Sequence, residues 1–171
     1  MARRGKDLIE FRIEDSSPVV RAMDRLAVAH DGWVNLEPQV RPEDEPPPRA
    51  GLTTLLAGPV HDVPVCTWVA GKLTRHGVQP DSIGVQHAGG SRVLGRLASA
   101  GLALPEGWRL VQDHPRRGLV VTPAPDAPRQ AVLTWILEAG AVLSAVRLTG
   151  EWLAQVHLPL EEGGGPKPGE L

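Results

Sequence analysis

The stretch DLIEFRIEDSSPVVRAMDRLAVAHDGWVNLE, residues 7–37, decides the fold class. Its first eight residues alternate. Ile9, Phe11 and Ile13 point one way and Glu10, Arg12 and Glu14 the other, which is the period of a half-buried strand. Ser17 before Pro18 is a helix start, because a serine hydroxyl accepts an orphan amide N–H and proline fits the first turn. Val19, Met23, Leu26, Ala27 and His30 then recur at helical spacing, and Gly32 supplies a stop. Trp33 to Glu37 alternates again as a returning strand, so the chain opens β-α-β.

Working outward, residues 38–51 hold five prolines and three consecutive acids, cannot bury a face, and read as a solvated loop. Val63 to Val69 and Ile83 to His87 read as strands. Lys72 to His76 does not decide between a short helix and another form. Ser91 is expected to cap a helix carrying Val93, Leu94, Leu97 and Ala98, ended by Gly101. Trp108 to Gln112 and Leu119 to Thr122 flank Asp113-His114-Pro115-Arg116-Arg117-Gly118, a hairpin signal. Asp126 and Pro128 open a helix apolar almost all round, with Gly140 inside it or at its end, and Trp152 to Leu158 alternates as a closing strand. The expectation is one small α+β domain over 7–160, with a mixed or mostly antiparallel sheet and about three helices. A flexible basic segment (1–6) and a disordered tail (161–171) flank it.

Composition narrows the class of function. The chain has 171 residues, 42% apolar and 22% charged, ordinary values for one globular domain. A net charge of -2 provides no large field to draw nucleic acid or a membrane. One cysteine, Cys66, excludes an intrachain disulfide and a cysteine-cluster zinc site. The basic N-terminus lacks an apolar stretch of signal-peptide length, and Ala131 to Val146 is too short and too interrupted by Glu138 to span a bilayer. The expected compartment is the cytoplasm, with Cys66 a small buried hydrophobe. Fifteen arginines against three lysines resemble the product of a GC-rich bacterial genome. The five tryptophans are expected to anchor the core.

Charge is uneven along the chain. Residues 61–125 carry seven basic and four acidic side chains and four of the six histidines, inside an otherwise acidic sequence. Two constellations lie there. His87-Ala88-Gly89-Gly90-Ser91-Arg92 is a strand end, a glycine pair and a helix start; free N–H groups at a helix N-terminus favour an anion, and Arg92 adds a guanidinium. The spacing is neither a Walker loop nor a dinucleotide fingerprint, and a glycine pair also makes a plain tight turn. In the second constellation, turn geometry explains Pro115 and Gly118. It leaves Asp113, His114, Arg116 and Arg117 crowded at one tip, either for a ligand or as a solvated cluster.

Leu97-Ala98-Ser99-Ala100-Gly101-Leu102, with Asp113 and Arg116-Arg117 beyond it, resembles locally the recognition helix and wing of winged-helix regulators of the multiple-antibiotic-resistance type. The resemblance covers Ser91 to Thr122, about a fifth of the chain. It implies Arg92 and Arg96 facing the major groove and Arg116 and Arg117 the minor groove of duplex DNA. The chain departs from that pattern where Ala103 to Gly107 lengthens the connection and where Ile83 to His87 reads as strand. An enzyme would draw on His61-Asp62, Asp113-His114, Ser91 with His87, or Cys66. Adjacent strand residues point to opposite faces, so each dipeptide offers one side chain to a common site. The residues lean away from catalysis and call for no cofactor or metal. They favour a non-catalytic ligand- or protein-binding domain using His87, Gly89, Gly90, Ser91, Arg92, Asp113, His114, Arg116 and Arg117. An anionic small molecule or a protein is the expected partner, nucleic acid is less favoured, and no membrane is involved.

Overall fold

Alternation along residues 6–12 puts Ile9 and Phe11 on one side and Leu8, Glu10 and Arg12 on the other, and this segment is the first strand, β1 (Lys6–Arg12). The computed structural model describes residues 5–47 and 61–159. Residues 1–4 of the basic N-terminus, 48–51 of the proline-rich loop and the tail at 161–171 lie outside the described residues.

A single turn of 3-10 helix leads into α1 (Ser17–Ala29), which buries Val19, Ala22, Met23 and Leu26; the cap position is Ser16, not Ser17 as expected, and no serine hydroxyl caps the helix. Burying a side chain of Leu or Met size contributes about 1.5–3 kcal/mol, so this stripe holds the helix to the sheet. Gly32 was expected to stop α1, but His30 takes the left-handed cap position, with φ 50. Gly32 is needed for a different reason: a Cβ there would lie 2.5 Å from the His157 carbonyl oxygen.

The remaining elements are β2 (Trp33–Pro38), β3 (Val65–Val69), a short β4–β5 ribbon (Leu73–Thr74 and Gly77–Val78), β6 (Ser82–Gln86), α2 (Val93–Ser99), β7 (Arg109–His114), β8 (Gly118–Thr122), α3 (Arg129–Leu143) and β9 (Glu151–His157). The undecided Lys72 to His76 is therefore ribbon, not helix. Seven strands form one sheet in the order β1-β9-β2-β3-β6-β8-β7. All six pairings are antiparallel. With three helices among the described residues, the protein is a small α+β domain. β1 and β2 run parallel to each other, because β9 lies between them and opposes both.

One face of the sheet is the core. Phe11, Trp152, Val34, Leu36, Cys66, Trp68, Ile83, Val85, Leu119 and Val121 are buried on it, and α3 packs over β2, β3 and β6 while touching both other helices. Gly140 is interior to α3, which continues to Leu143. A Cβ at that position would meet the Trp152 ring at 2.8 Å and Cys66 Sγ at 3.0 Å, so glycine is what lets helix and sheet approach. Four tryptophans, Trp68, Trp108, Trp135 and Trp152, belong to the core as expected. Trp33 does not. It shares strand parity with Asn35 and Glu37, lies on the opposite face, and stacks on His157 at 4.5 Å. That outer face is polar at its centre, where Thr67 donates to Asn35 at 3.0 Å. No helix among the described residues is long and apolar enough to cross a membrane.

Candidate functional site

The two constellations singled out in the sequence meet at the β6–β8–β7 end of the sheet. His87 continues the inward alternation of Ile83 and Val85 one step past β6 and is 4% exposed. Its Nδ1 accepts the Gly89 N–H at 3.0 Å, which leaves the ring proton on Nε2, and Nε2 is buried without a partner. Burial pushes this imidazole below its usual range; Asp113 pulls it back, while Arg96 and His61 push it further down.

The start of α2 is not built as the sequence suggests. Ser91 is exposed, and the cap position falls on Arg92, whose backbone is left-handed (φ 58, ψ 40) and whose side chain makes no cap. The cap comes from twenty residues further on. The Asp113 carboxylate accepts the N–H groups of Val93 and Leu94, each at 3.1 Å. The amides expected to face an anion are therefore satisfied by the protein's own charge. The glycines serve the same packing: Gly90 needs its φ of 81, and a Cβ on Gly89 would lie 3.1 Å from the Arg96 guanidinium.

The hairpin tip is equally committed in its backbone. His114 Nδ1 accepts the N–H groups of Arg116 at 3.1 Å and Arg117 at 3.2 Å. The Arg117 carbonyl accepts from Gln112 at 3.0 Å and from Gln86 at 3.3 Å, tying the tip to β6. At Gly118, with φ 80, a Cβ would sit 2.5 Å from the Val85 carbonyl oxygen, so no other residue fits without moving the strand. Free of these bonds are the side chains of Arg92, Arg116 and Arg117. All three are exposed, and no carboxylate among the described residues pairs with them.

Among the described residues, the other groups that the sequence offered for catalysis are placed as follows. Cys66 is fully buried, its Sγ lies 3.9 Å from the Ile136 carbonyl oxygen, and burial pushes the thiol up to about 12. A thiol so raised is not a nucleophile at neutral pH. Among the described residues, no three of His, Cys, Asp and Glu gather as metal ligands would. His87 Nδ1 is spent on Gly89, which leaves Ser91 without that nitrogen as a base. The winged-helix pattern needs a helix before its recognition helix, and that position is held by β6, an inner strand of the sheet.

A third constellation was invisible in the sequence. Asp81 accepts the Gly71 N–H at 2.8 Å and Arg129 at 2.9 Å, and the Arg129 guanidinium lies 5.4 Å over the Trp68 ring. His30 Nδ1 is 3.3 Å from the Gly71 carbonyl oxygen. These groups border a cavity of about 440 Å³ with Pro80 and Pro123 and brace the foot of the β4–β5 ribbon. Asp81 and Arg129 are 48 residues apart, so no local spacing announces them. A groove of about 620 Å³ opens beside the Arg12–Glu151 ion pair, over Phe11 and Trp152. No protein family, curated protein or solved structure matches this chain.

Proposed function

We propose that this protein is a non-catalytic binding domain whose Arg- and His-rich corner, at the start of α2 and the β7–β8 tip, takes an anionic group of a small molecule or a protein partner. One observation carries the reading. Arg92, Arg116 and Arg117 are exposed without a carboxylate partner among the described residues, while the backbone beneath them is tied down by His87, Asp113, His114 and Gly118. With the backbone already fixed, closing these guanidinium groups on a carboxylate or phosphate costs side-chain ordering but no loop ordering. The contact rests on the guanidinium groups, since Asp113 already occupies the helix amides. The compartment in this reading is the bacterial cytoplasm, where Cys66 stays a reduced thiol.

The test replaces Arg92, Arg116 and Arg117 together by Ala and compares what native mass spectrometry and pulldown retain. Loss of the bound mass or partner in a folded variant supports the reading, and undiminished retention overturns it. Salt-sensitive binding to duplex DNA would instead support a nucleic-acid regulator.

A further inference from the structure

Among the described residues, the sheet ends at β1 and leaves that edge open. The Leu158 N–H donates to the Gly5 carbonyl at 3.1 Å, and the register places these two residues opposite each other. They are therefore a hydrogen-bonded pair, and such pairs recur at every second residue of an antiparallel ladder. Asp7, Ile9 and Phe11 bond to β9. Lys6, Leu8, Glu10 and Arg12 turn their N–H and C=O groups away from it. The other side of β9 has the matching parity, since the Gln39 N–H donates to the Glu151 carbonyl at 2.8 Å. The β1–β9 ladder runs seven residues without a bulge, and Leu8, in the middle of its first half, is 63% exposed.

We infer that β1 is the contact through which two copies of this chain pair, edge to edge and antiparallel about a twofold axis at Leu8, joining their sheets into one. The occupant is argued from charge. A twofold axis normal to the sheet keeps outer-face residues opposite outer-face residues, so only registers that match even with even positions are allowed. Centring on Ile9 sets Lys6 against Arg12 of the second copy. Centring on Glu10 sets Glu10 against itself, and centring on Asp7 sets Asp7 against itself. Centring on Phe11 sets Glu10 against Arg12 but spans only three residues of β1, whereas centring on Leu8 spans five, sets Lys6 against Glu10 twice and closes the exposed leucine on its twin. In that register, the facing residues Lys6, Leu8 and Glu10 are those whose backbone groups point outward. Opposite charges and apolar side chains directly across a ladder stabilise it, while like charges oppose it.

Charged side chains on an edge ordinarily discourage pairing with arbitrary strands. Here they do so while leaving the Leu8-centred register as the longest within β1 that opposes unlike charges. The opposite edge, β7, is unsuited to the same use, because its ladder slips between Leu110 and Gln112. The inference is independent of the anion-binding corner, which lies at that far edge.

Sedimentation equilibrium of the full chain tests it, with a reversible monomer–dimer equilibrium expected. Glu10→Lys places like charges opposite Lys6 at both ends of the contact and should raise the dimer dissociation constant by about tenfold or more. The double variant Lys6→Glu with Glu10→Lys restores both pairs and should restore the dimer. Both side chains are exposed, so circular dichroism should show the fold of each variant unchanged. Leu8→Cys should cross-link with a short bis-maleimide, the buried Cys66 staying unreactive. A chain monomeric at all concentrations up to about 1 mM overturns the inference. So does a dimer indifferent to Glu10→Lys, or a double variant that stays monomeric.

Discussion

The two edges of the sheet are held in opposite ways. At β1, an unbroken ladder sets Phe11 across from Trp152 and Ile9 across from Ala154, so apolar burial supports a regular strand. At β7, the ladder is interrupted around Val111, which is 63% exposed, as is Leu110 at 46%. What secures that end is polar: Asp113 on the α2 amides, His87 on Gly89, and Gln86 and Gln112 on Arg117. Apolar burial does not depend on proton concentration, whereas the buried neutral imidazole of His87 does. The edge that carries the candidate site should therefore respond to acid first, and the β1 edge last.

Phe11→Ala strikes the apolar edge and should have the largest effect, a loss of about 3–5 kcal/mol in denaturant unfolding. That loss should be the same at about pH 5 and about pH 8. A loss that varies with pH would break the contrast. Asp113→Ala strikes the polar edge, leaving the Val93 and Leu94 amides without their acceptor, and should cost about 1–2 kcal/mol. Hydrogen exchange should accelerate across 93–99 while amides of β1 and β9 keep their protection. Uniform acceleration would mean that the two edges are not separable.

The smallest effect belongs to His87, and its sign is set by the direction of its shift. Folding holds this imidazole below its ordinary 6.5, chiefly by burial. The stability it contributes is complete above that ordinary value and is lost as pH falls through the lower folded value. His87→Phe, which cannot take up a proton there, should flatten the acid limb of the stability curve. An unchanged acid limb would remove His87 from the account.

The β1 half was legible because its signals are local. Alternation, a serine–proline start and helical spacing are all read within one segment, and β1, α1 and β2 follow within a residue or two. Trp33 was misplaced by weighing bulk over parity: its partners at every second position, Asn35 and Glu37, mark the solvent face, and Val34 and Leu36 the core. At the other end, both halves of the candidate corner stood out as a glycine pair and an arginine-rich tip. Their connection did not, because it is a carboxylate reaching amides twenty residues away, and no window contains both. Ser91 looked like the cap only because nothing local shows that Arg92 turns left-handed before the helix. His30 escaped for the same reason, as a histidine in the position where glycine was expected. The Asp81–Arg129 pair lies further still along the chain.

The place of β9 between β1 and β2 governs how this protein must emerge from the ribosome. The opening β-α-β segment is made first, yet its two strands are not neighbours and cannot bond to each other. The slot between them waits for Glu151–His157, the last of the described strands to be made. A nascent chain stalled before that point can pair β2 with β3, and onward to β7, but β1 has no strand to join. Sheet completion is thus tied to translation reaching Glu151–His157, and a product cut short before it would present an unfilled edge on β2 to the crowded cell.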